Sequence, residues 1–359
     1  MNKKHKLIYL LLTFILLFST APFQFTTLAH ADTESVNKSY HSENPYIQVY
    51  KNSLEQTVIK QNPDPLVDPE VENRTILSTL ELYYELDKKV SDLLSTYYQD
   101  ATTSEEIVSV HRKDKINAMN KIMKIYDSVE DEKTKELLLD YLDRYAIGPN
   151  DINEEVLSFL DKKTEKEKPV ELSAAYNGEG AADWAYNNYD SYRRDYPRFT
   201  GEFGSDCTNF VSQAIHIGGG KPKAGNWYVY RKNLKYWEIN SAYELDYSWD
   251  LSDPSPWISV REFVKYWRTK SGVVFYLTEY YKKNHKKIYT TTDIDRGDVI
   301  IFYKGIANVF TVPTHAMIIS KKDSKNYDFK LAGHSNERQA YPLLKAIESY
   351  AEIEVLKIK

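Results

Sequence analysis

The chain contains a single cysteine, Cys207, and its surroundings are those of a nucleophile. It stands in the string GSDCTNFVSQ (204–213), where Ser205 or Asp206 can cap a helix that begins at about Cys207. A cysteine in a first helical turn meets free backbone N–H groups and the positive end of the helix dipole, and both favour the thiolate. The same N–H groups, with that of Cys207 as the first candidate, can stabilise an oxyanion. We therefore predict that Cys207 attacks carbonyl groups.

A thiol nucleophile needs a proton acceptor, and histidine is the side chain suited to this task near neutral pH. Of the eight histidines, His315 is the best candidate because it opens a strand-like segment, whereas His216 would lie about 13 Å from Cys207 on the same helix. His334 and Asn336 follow the next strand-like segment, and the end of one antiparallel strand neighbours the start of its partner. Either residue could therefore hold the His315 ring as the third member of a triad.

A helix and several strands must position these residues. Residues 208–217 predict the helix, and strand-like runs follow at Asp298–Tyr303, Ala316–Ser320 and Tyr327–Ala332. A helix followed by an antiparallel run of strands predicts an α+β domain. The tryptophans between 227 and 267 could grip a sugar or a peptide, but large aromatic residues more often fill a core.

The string DCTNFVSQ (206–213), the strand introduced by Gly297-Asp298, the His315 strand and the closing His334-Ser335-Asn336 resemble the putative amidase domain family of Gram-positive bacteria. That family belongs with the NlpC/P60- and CHAP-like branch of papain-type cysteine hydrolases, and the resemblance runs from about residue 175 to the C-terminus. It implies a papain-like (NlpC/P60-like) fold, in which a helix carries the cysteine and an antiparallel sheet supplies a histidine and a third polar residue. His334 matches the third-residue histidine of NlpC/P60 enzymes, whereas Asn336 would match enzymes that use an amide; we prefer His334. The sequence departs from the family around His315, which stands in PTHAM where an Asp or a small residue with Val is more usual.

The chain begins with the pattern of a secretory signal peptide. Three lysines precede an apolar run at 7–18, and Ala29-His30-Ala31 offers small residues for cleavage, so we expect a secreted protein with the cell wall as a candidate location. Apolar residues at three- and four-residue steps predict a helix from about residue 75, and others at 104–129, 131–145 and 153–160. The predicted organisation is a signal peptide (1–31), a disordered leader (32–69), an α-helical region (70–160), a charged linker (161–172) and an amidase-like catalytic domain (173–359).

Composition argues against several other functions. The net charge is −5, and no Lys/Arg cluster resembles a nucleic-acid footprint. After signal cleavage no segment is apolar enough to span a bilayer; we also find neither metal-ligand spacing nor a phosphate loop, and expect no cofactor. We therefore predict a cysteine-dependent amidase or peptidase that acts through a thioester on a peptide or peptidoglycan-type substrate. The alternative is a non-catalytic cell-wall or partner-binding protein that retains an amidase-like fold, and the oligomeric state stays open.

Overall fold

The computed structural model describes residues 44–56, 64–98, 101–164 and 175–359. The predicted signal peptide and most of the predicted linker lie outside these residues. The helices are α1 (Pro45–Gln56), α2 (Pro69–Tyr98), α3 (Ala101–Val108), α4 (Arg112–Ile125), α5 (Glu132–Tyr145), α6 (Glu154–Thr164), α7 (Gly178–Asn188), α8 (Cys207–Gln213), α9 (Ala242–Ser248), α10 (Val260–Arg268), α11 (Thr278–Thr291) and α12 (Leu343–Ala346). The strands are β1 (Ile147–Gly148), β2 (Asp151–Ile152), β3 (Arg198–Phe199), β4 (Val229–Arg231), β5 (Glu238–Ile239), β6 (Trp249–Leu251), β7 (Ser271–Leu277), β8 (Val299–Ile306), β9 (Phe310–Asp323), β10 (Asp328–Gly333), β11 (Arg338–Pro342) and β12 (Glu352–Ile358). Turns of 3₁₀ helix occur at Tyr126–Ser128 and Ile347–Ser349, and a π-helical turn at Ala214–Gly218 continues α8.

A six-stranded sheet in the order β11-β10-β9-β8-β12-β7 forms the centre of the C-terminal region, and every neighbouring pair is antiparallel. The three predicted strand runs lie in β8, β9 and β10, and the predicted helix corresponds to α8 with its π-helical turn. The α+β prediction is therefore confirmed. Ala316 and Ile318 of β9 belong to the same hydrophobic cluster as Phe210 and Val211, so this face of the sheet covers α8.

Four of the five tryptophans between 227 and 267 fill the core on the same side of the sheet, whereas Trp237 is only partly buried. Trp227, Trp249, Trp257 and Trp267 are all buried, and the rings of Trp227 and Trp257 lie 4.7 Å apart. Their packing confirms the interpretation of these residues as core. This core fixes the position of α8, since Trp257 also donates a hydrogen bond to Asn209 Oδ1 at 3.0 Å.

The helical region and the sheet share one hydrophobic cluster. The end of the β8–β9 hairpin packs among α1, α2, α4 and α5, and the Phe310 ring lies 5.3 Å from the rings of both Tyr46 and Tyr145. An ion pair between Lys265 of α10 and Asp140 of α5, 2.7 Å long, also links the two regions. The helices are therefore built into the molecule that carries the candidate site.

The predicted leader was wrong where the structure describes it. Residues 45–56 form α1, because Asn44 Oδ1 accepts hydrogen bonds from the N–H groups of Tyr46 and Ile47, and both side chains are buried. Pro45 at the first helical position is compatible with this start, because its missing N–H would have no helical partner. Pro45, within the predicted leader, therefore marks the start of a helix.

Two further boundaries differ from the sequence prediction. The helix predicted over 104–129 is broken between α3 and α4, because Ser109 turns its hydroxyl to Asp114 at 2.6 Å and accepts the His111 N–H at 3.1 Å. α6 continues to Thr164, into the segment predicted as linker. The helix predicted over 131–145 is confirmed as α5, with Asp131 as its N-cap.

The sequence did not predict β7, β11 or β12. In β12 the buried positions include two acidic residues, Glu352 and Glu354, which hide the apolar pattern of a central strand. Glu354 is compensated by Arg268 at 2.7 Å, a contact that sequence alone does not provide. Charge pairing therefore allows a strand whose composition argues against one.

Candidate active site

Cys207 is the first residue of α8 and is almost fully buried. The helical hydrogen bonds begin with Phe210 N–H to Asp206 O, whereas the Cys207 N–H donates to Ser205 Oγ at 3.4 Å. Burial raises the pKa of the Cys207 thiol, and hydrogen bonds from Ser205, the Ala316 backbone and Thr208 oppose that shift. The thiol thus lies against β9 at the residue that follows His315.

His315 lies near the middle of β9 and pairs with Phe302 of β8. The register between the two strands shifts directly after this pair, between Phe302 and Tyr303. The residue is fully buried, and neither ring nitrogen has a hydrogen-bond partner among the described residues. Burial lowers the pKa of His315 to about 4, and the charge of Glu72 opposes this shift. A buried ring with two unpartnered nitrogens is unusual, and it keeps both nitrogens free for proton transfer.

His334 contacts the residue next to Cys207 rather than His315. Its Nδ1 donates to Asp206 Oδ2 at 2.6 Å, and its ring lies between Phe210 (4.1 Å) and Tyr192 (4.4 Å). Because a carboxylate only accepts, Nδ1 carries the proton. Nε2 of His334 has no hydrogen-bond partner among the described residues. Asp206 therefore has a partner, His334, that the sequence did not predict. The Asp206 carboxylate makes no N-cap hydrogen bond.

Asn336 forms its hydrogen bond with a residue outside the sheet. Its Nδ2 donates to the carbonyl oxygen of Pro65 at 2.7 Å, and Arg338 binds the same segment through the carboxylate of Asp64. Lys345 pairs with the other oxygen of Asp64 at 2.8 Å. Since His315 has no hydrogen-bond partner among the residues described, neither Asn336 nor His334 holds its ring in this structure. A role for either residue as the third member of a triad stays a prediction.

Asn209 ties this arrangement to the surrounding loops. Its Nδ2 donates to Pro197 O at 2.7 Å and to Asp206 Oδ1 at 2.9 Å, and the Phe199 N–H donates to the same carboxylate oxygen. Asp206 therefore receives three hydrogen bonds, one of them from His334. Asp206 and Asn209, the two ends of the Asp-Cys-Thr-Asn string, therefore fix the start of α8 against the surrounding loops.

A cleft of about 600 Å³ reaches Cys207. One wall is a face of α2 from Val71 to Lys89, about 27 Å long at 1.5 Å per residue. Phe203 and Ile258 line the other side, and Thr314 borders the cleft as well. A cleft of this length accommodates about eight residues of extended peptide.

A family model described as "Putative amidase domain" matches residues 175–357. The chain belongs to this family. The matched segment contains the Asp206-Cys207 string, His315 and His334, together with the whole six-stranded sheet but for the last residue of β12. Membership supports a hydrolase that acts on C–N bonds. No curated protein and no solved structure matches the chain.

Glu72 contacts the residue that precedes His315, and sequence reasoning did not single it out; it lies outside the matched amidase segment. It is carried by α2, where Glu72 Oε1 accepts from Thr314 Oγ1 at 3.2 Å and Oε2 pairs with Lys304 at 3.1 Å. Thr314 directly precedes His315. A lone glutamate in the first turn of a helix is an ordinary sequence feature, so no signal in the sequence could single it out.

The described residues offer no alternative site for a metal ion, since no group of three or more His, Cys, Asp or Glu side chains among them could hold one. Nor is any helix in the described part of the chain both long and apolar enough to cross a membrane.

Proposed function

We propose that this protein is a cysteine amidase in which Cys207 is the nucleophile and His315 its base. One observation carries the proposal. The only thiol of an amidase-family chain faces a cleft and lies against the backbone next to a buried histidine whose two nitrogens have no partner among the described residues. The papain-like character of the domain, of the NlpC/P60 type, belongs to the same proposal.

The proposed reaction is acyl transfer through a thioester. As the sulfur of Cys207 bonds to the amide carbon, the thiol proton passes to a ring nitrogen of His315 and the carbonyl oxygen becomes an oxyanion. We propose that the Cys207 N–H, whose contact to Ser205 Oγ is long at 3.4 Å, donates to that oxyanion from the start of α8. Collapse breaks the C–N bond, and His315 returns the proton to the leaving amine. Water then attacks the thioester, giving the acid and restoring the thiol.

The shape of the cleft supports a peptide substrate. Its wall along α2 presents Thr75, Ser78, Thr79 and Leu82, which offer hydroxyl and aliphatic contacts to an extended chain. We propose bacterial cell-wall peptides as the substrate class, together with export of the protein through the segment 1–31. These two points rest on the sequence patterns and on the family resemblance.

The burial of the same groups favours a second candidate, a non-catalytic wall-binding or partner-binding protein. Burial raises the pKa of Cys207 and lowers that of His315, and both shifts oppose transfer of a proton from the thiol to the ring. A binding protein needs no such transfer. The two functions therefore differ in whether Cys207 can be replaced.

The test is amine release from purified peptidoglycan and from peptide amides, with trapping of an acetylated Cys207 from p-nitrophenyl acetate by peptide mass spectrometry. We expect Cys207→Ser to abolish both reactions and His315→Ala to slow them by at least about 100-fold. His285→Ala is the matched control, because the ring of this histidine of α11 bonds the backbone of its own helix at Lys282 O, and the variant should behave as the wild type. Amine release that survives in Cys207→Ser would refute the proposal, and peptidoglycan binding that survives without turnover would support the second candidate.

A further inference from the structure

We propose that Glu72 is a positioning residue of the active site: the helical region supplies, through this side chain, the acidic partner that supports His315 as the base for Cys207. The proposal rests on the proposed cysteine mechanism and adds to it a residue from outside the amidase segment. It also gives the helical region a role in the chemistry.

Glu72 is held beside the strand that carries His315. Its two oxygens are fixed by different elements, one by the hydroxyl of Thr314 on β9 and the other by Lys304 on β8. A hydrogen bond with Tyr350, which precedes β12, adds a third contact and helps to raise the pKa of that phenol. Two strands of the sheet and the segment that leads into β12 thus hold one carboxylate from α2, so its position is set by the fold.

The residues expected to assist His315 are committed elsewhere. His334 donates its only Nδ1 proton to Asp206, and Asn336 donates to Pro65. Among the described residues, Glu72 is the charged group that acts on His315 against the effect of burial. An imidazolium formed in a buried site needs a nearby negative charge, because desolvation otherwise disfavours it. Glu72 is placed to provide that charge at the moment His315 takes the thiol proton.

The segment before Glu72 anchors it. Leu66 and Val67 are buried, and Asp64 pairs with Arg338 and Lys345 at the edge of the sheet. Further along α2, Arg74 donates to the carbonyl oxygen of Gly201 at 2.6 Å. The helix is therefore attached to the amidase domain on both sides of Glu72, and the carboxylate cannot move away without breaking these contacts.

The proposal predicts a specific pH signature. The reactive form is the thiolate–imidazolium pair, whose population falls tenfold for each unit by which the pKa of His315 falls relative to that of Cys207. An opposite charge at close range shifts a pKa by about 1–3 units. Removing the charge of Glu72 should therefore slow the neutral-pH reaction by about tenfold or more. Once the pH exceeds the raised pKa of Cys207, the thiolate forms without help from His315, so the effect should vanish there.

The experiment measures the rate of Cys207 alkylation by iodoacetamide from about pH 5 to about pH 10 in the full chain. The variants are Glu72→Gln, Glu72→Asp, Lys304→Met and His315→Ala. Glu70→Gln is the matched control, because it removes the same charge from the same turn of the helix, but at an exposed side chain. We expect Glu72→Gln to be about tenfold slow near neutral pH and equal to the wild type at high pH, with Glu72→Asp in between. Lys304→Met should change the rate in the opposite direction, because it removes a cation that competes for Glu72.

Each contrary outcome has a separate meaning. A Glu72→Gln profile that matches the wild type at every pH would overturn the role of Glu72. A variant that is slow at every pH would also overturn it, because that result indicates only a structural contact. If the wild type and His315→Ala give the same profile, the proposed cysteine mechanism itself fails. Should Glu72→Gln not fold, Lys304→Met decides alone: a neutral-pH rate equal to or below that of the wild type would overturn the proposal.

Discussion

Two of the buried ionisable sites in this molecule, one in the helical region and one in the amidase domain, differ in how their polar atoms are bonded. In the helical region Asp87 is fully buried, and its carboxylate receives hydrogen bonds from Lys115, Arg144, Tyr46 and Tyr145 at 2.5 to 2.8 Å. In the amidase domain His315 is equally buried, yet neither nitrogen has a partner in the described part of the chain.

The difference separates a structural group from a chemical one. A buried carboxylate bonded by four side chains links the helices that contribute to it, here α1, α2, α4 and α5, and this is a structural role. A buried ring without partners destabilises the fold unless something else is gained, and the two unpartnered nitrogens of His315 are the groups that the proposed proton transfer requires. The two groups should therefore respond to mutation in opposite ways.

The largest expected effect is on the satisfied group. Asp87→Asn removes the charge that Lys115 and Arg144 share, leaving two buried cations, and should lower the free energy of unfolding by about 3–5 kcal/mol. Urea unfolding of the full chain measures this. Asp92→Asn, an exposed position on the same helix, is the control and should change the stability by less than about 0.5 kcal/mol. Equal losses in the two variants would show that the Asp87 group does not link the helices.

Asp298 is an intermediate case, because it is buried and one of its oxygens accepts the Asp295 N–H at 2.9 Å. Burial raises the pKa of Asp298 to about 7. Between its unfolded pKa of about 3.9 and pH 7 the folded state then binds more protons than the unfolded state, so stability falls as the pH rises through this window. Asp298→Asn should remove this dependence, on the order of 1–3 kcal/mol between pH 4 and pH 8. Parallel stability curves for the two proteins over this range would contradict the raised pKa.

The smallest expected effect on stability belongs to the unsatisfied group. His315→Leu exchanges a buried ring without partners for an apolar side chain of similar size, next to the Phe302 ring at 5.9 Å. We expect the free energy of unfolding to stay the same or to rise by about 1 kcal/mol, because no hydrogen bond is lost. Thermal unfolding measures it. A loss of several kcal/mol would show that His315 is a structural residue like Asp87.

The sequence predicted those features of the site and of the fold that depend on residues close together in the chain. Cys207 at a helix start, His315 on a strand and three of the six sheet strands followed from periodicity and from a short string, because each depends on neighbours in the chain. The hidden strand β12 did not follow, since Glu354 is acceptable there only because a distant arginine, Arg268, pairs with it.

The partners of the site residues were the unpredictable part. The bond between Asp206 and His334 spans 128 positions, and the contact between Glu72 and Thr314 spans 242. Spacing along the chain holds no information about such pairs, whereas the resemblance to a family suggested His334 as a partner for His315. The fold joins His334 to Asp206 and brings Glu72 from a helix outside the family segment.

The most direct test of the central claim is the pH dependence of Cys207 alkylation by iodoacetamide in the wild type beside His315→Ala. We expect labelling that persists well below pH 8 in the wild type, and a clearly altered profile once His315 is removed, because the ring takes the thiol proton. Slow labelling that rises only near the free-thiol pKa of about 8.5, with the same profile in both proteins, would contradict it and leave a binding protein as the better description.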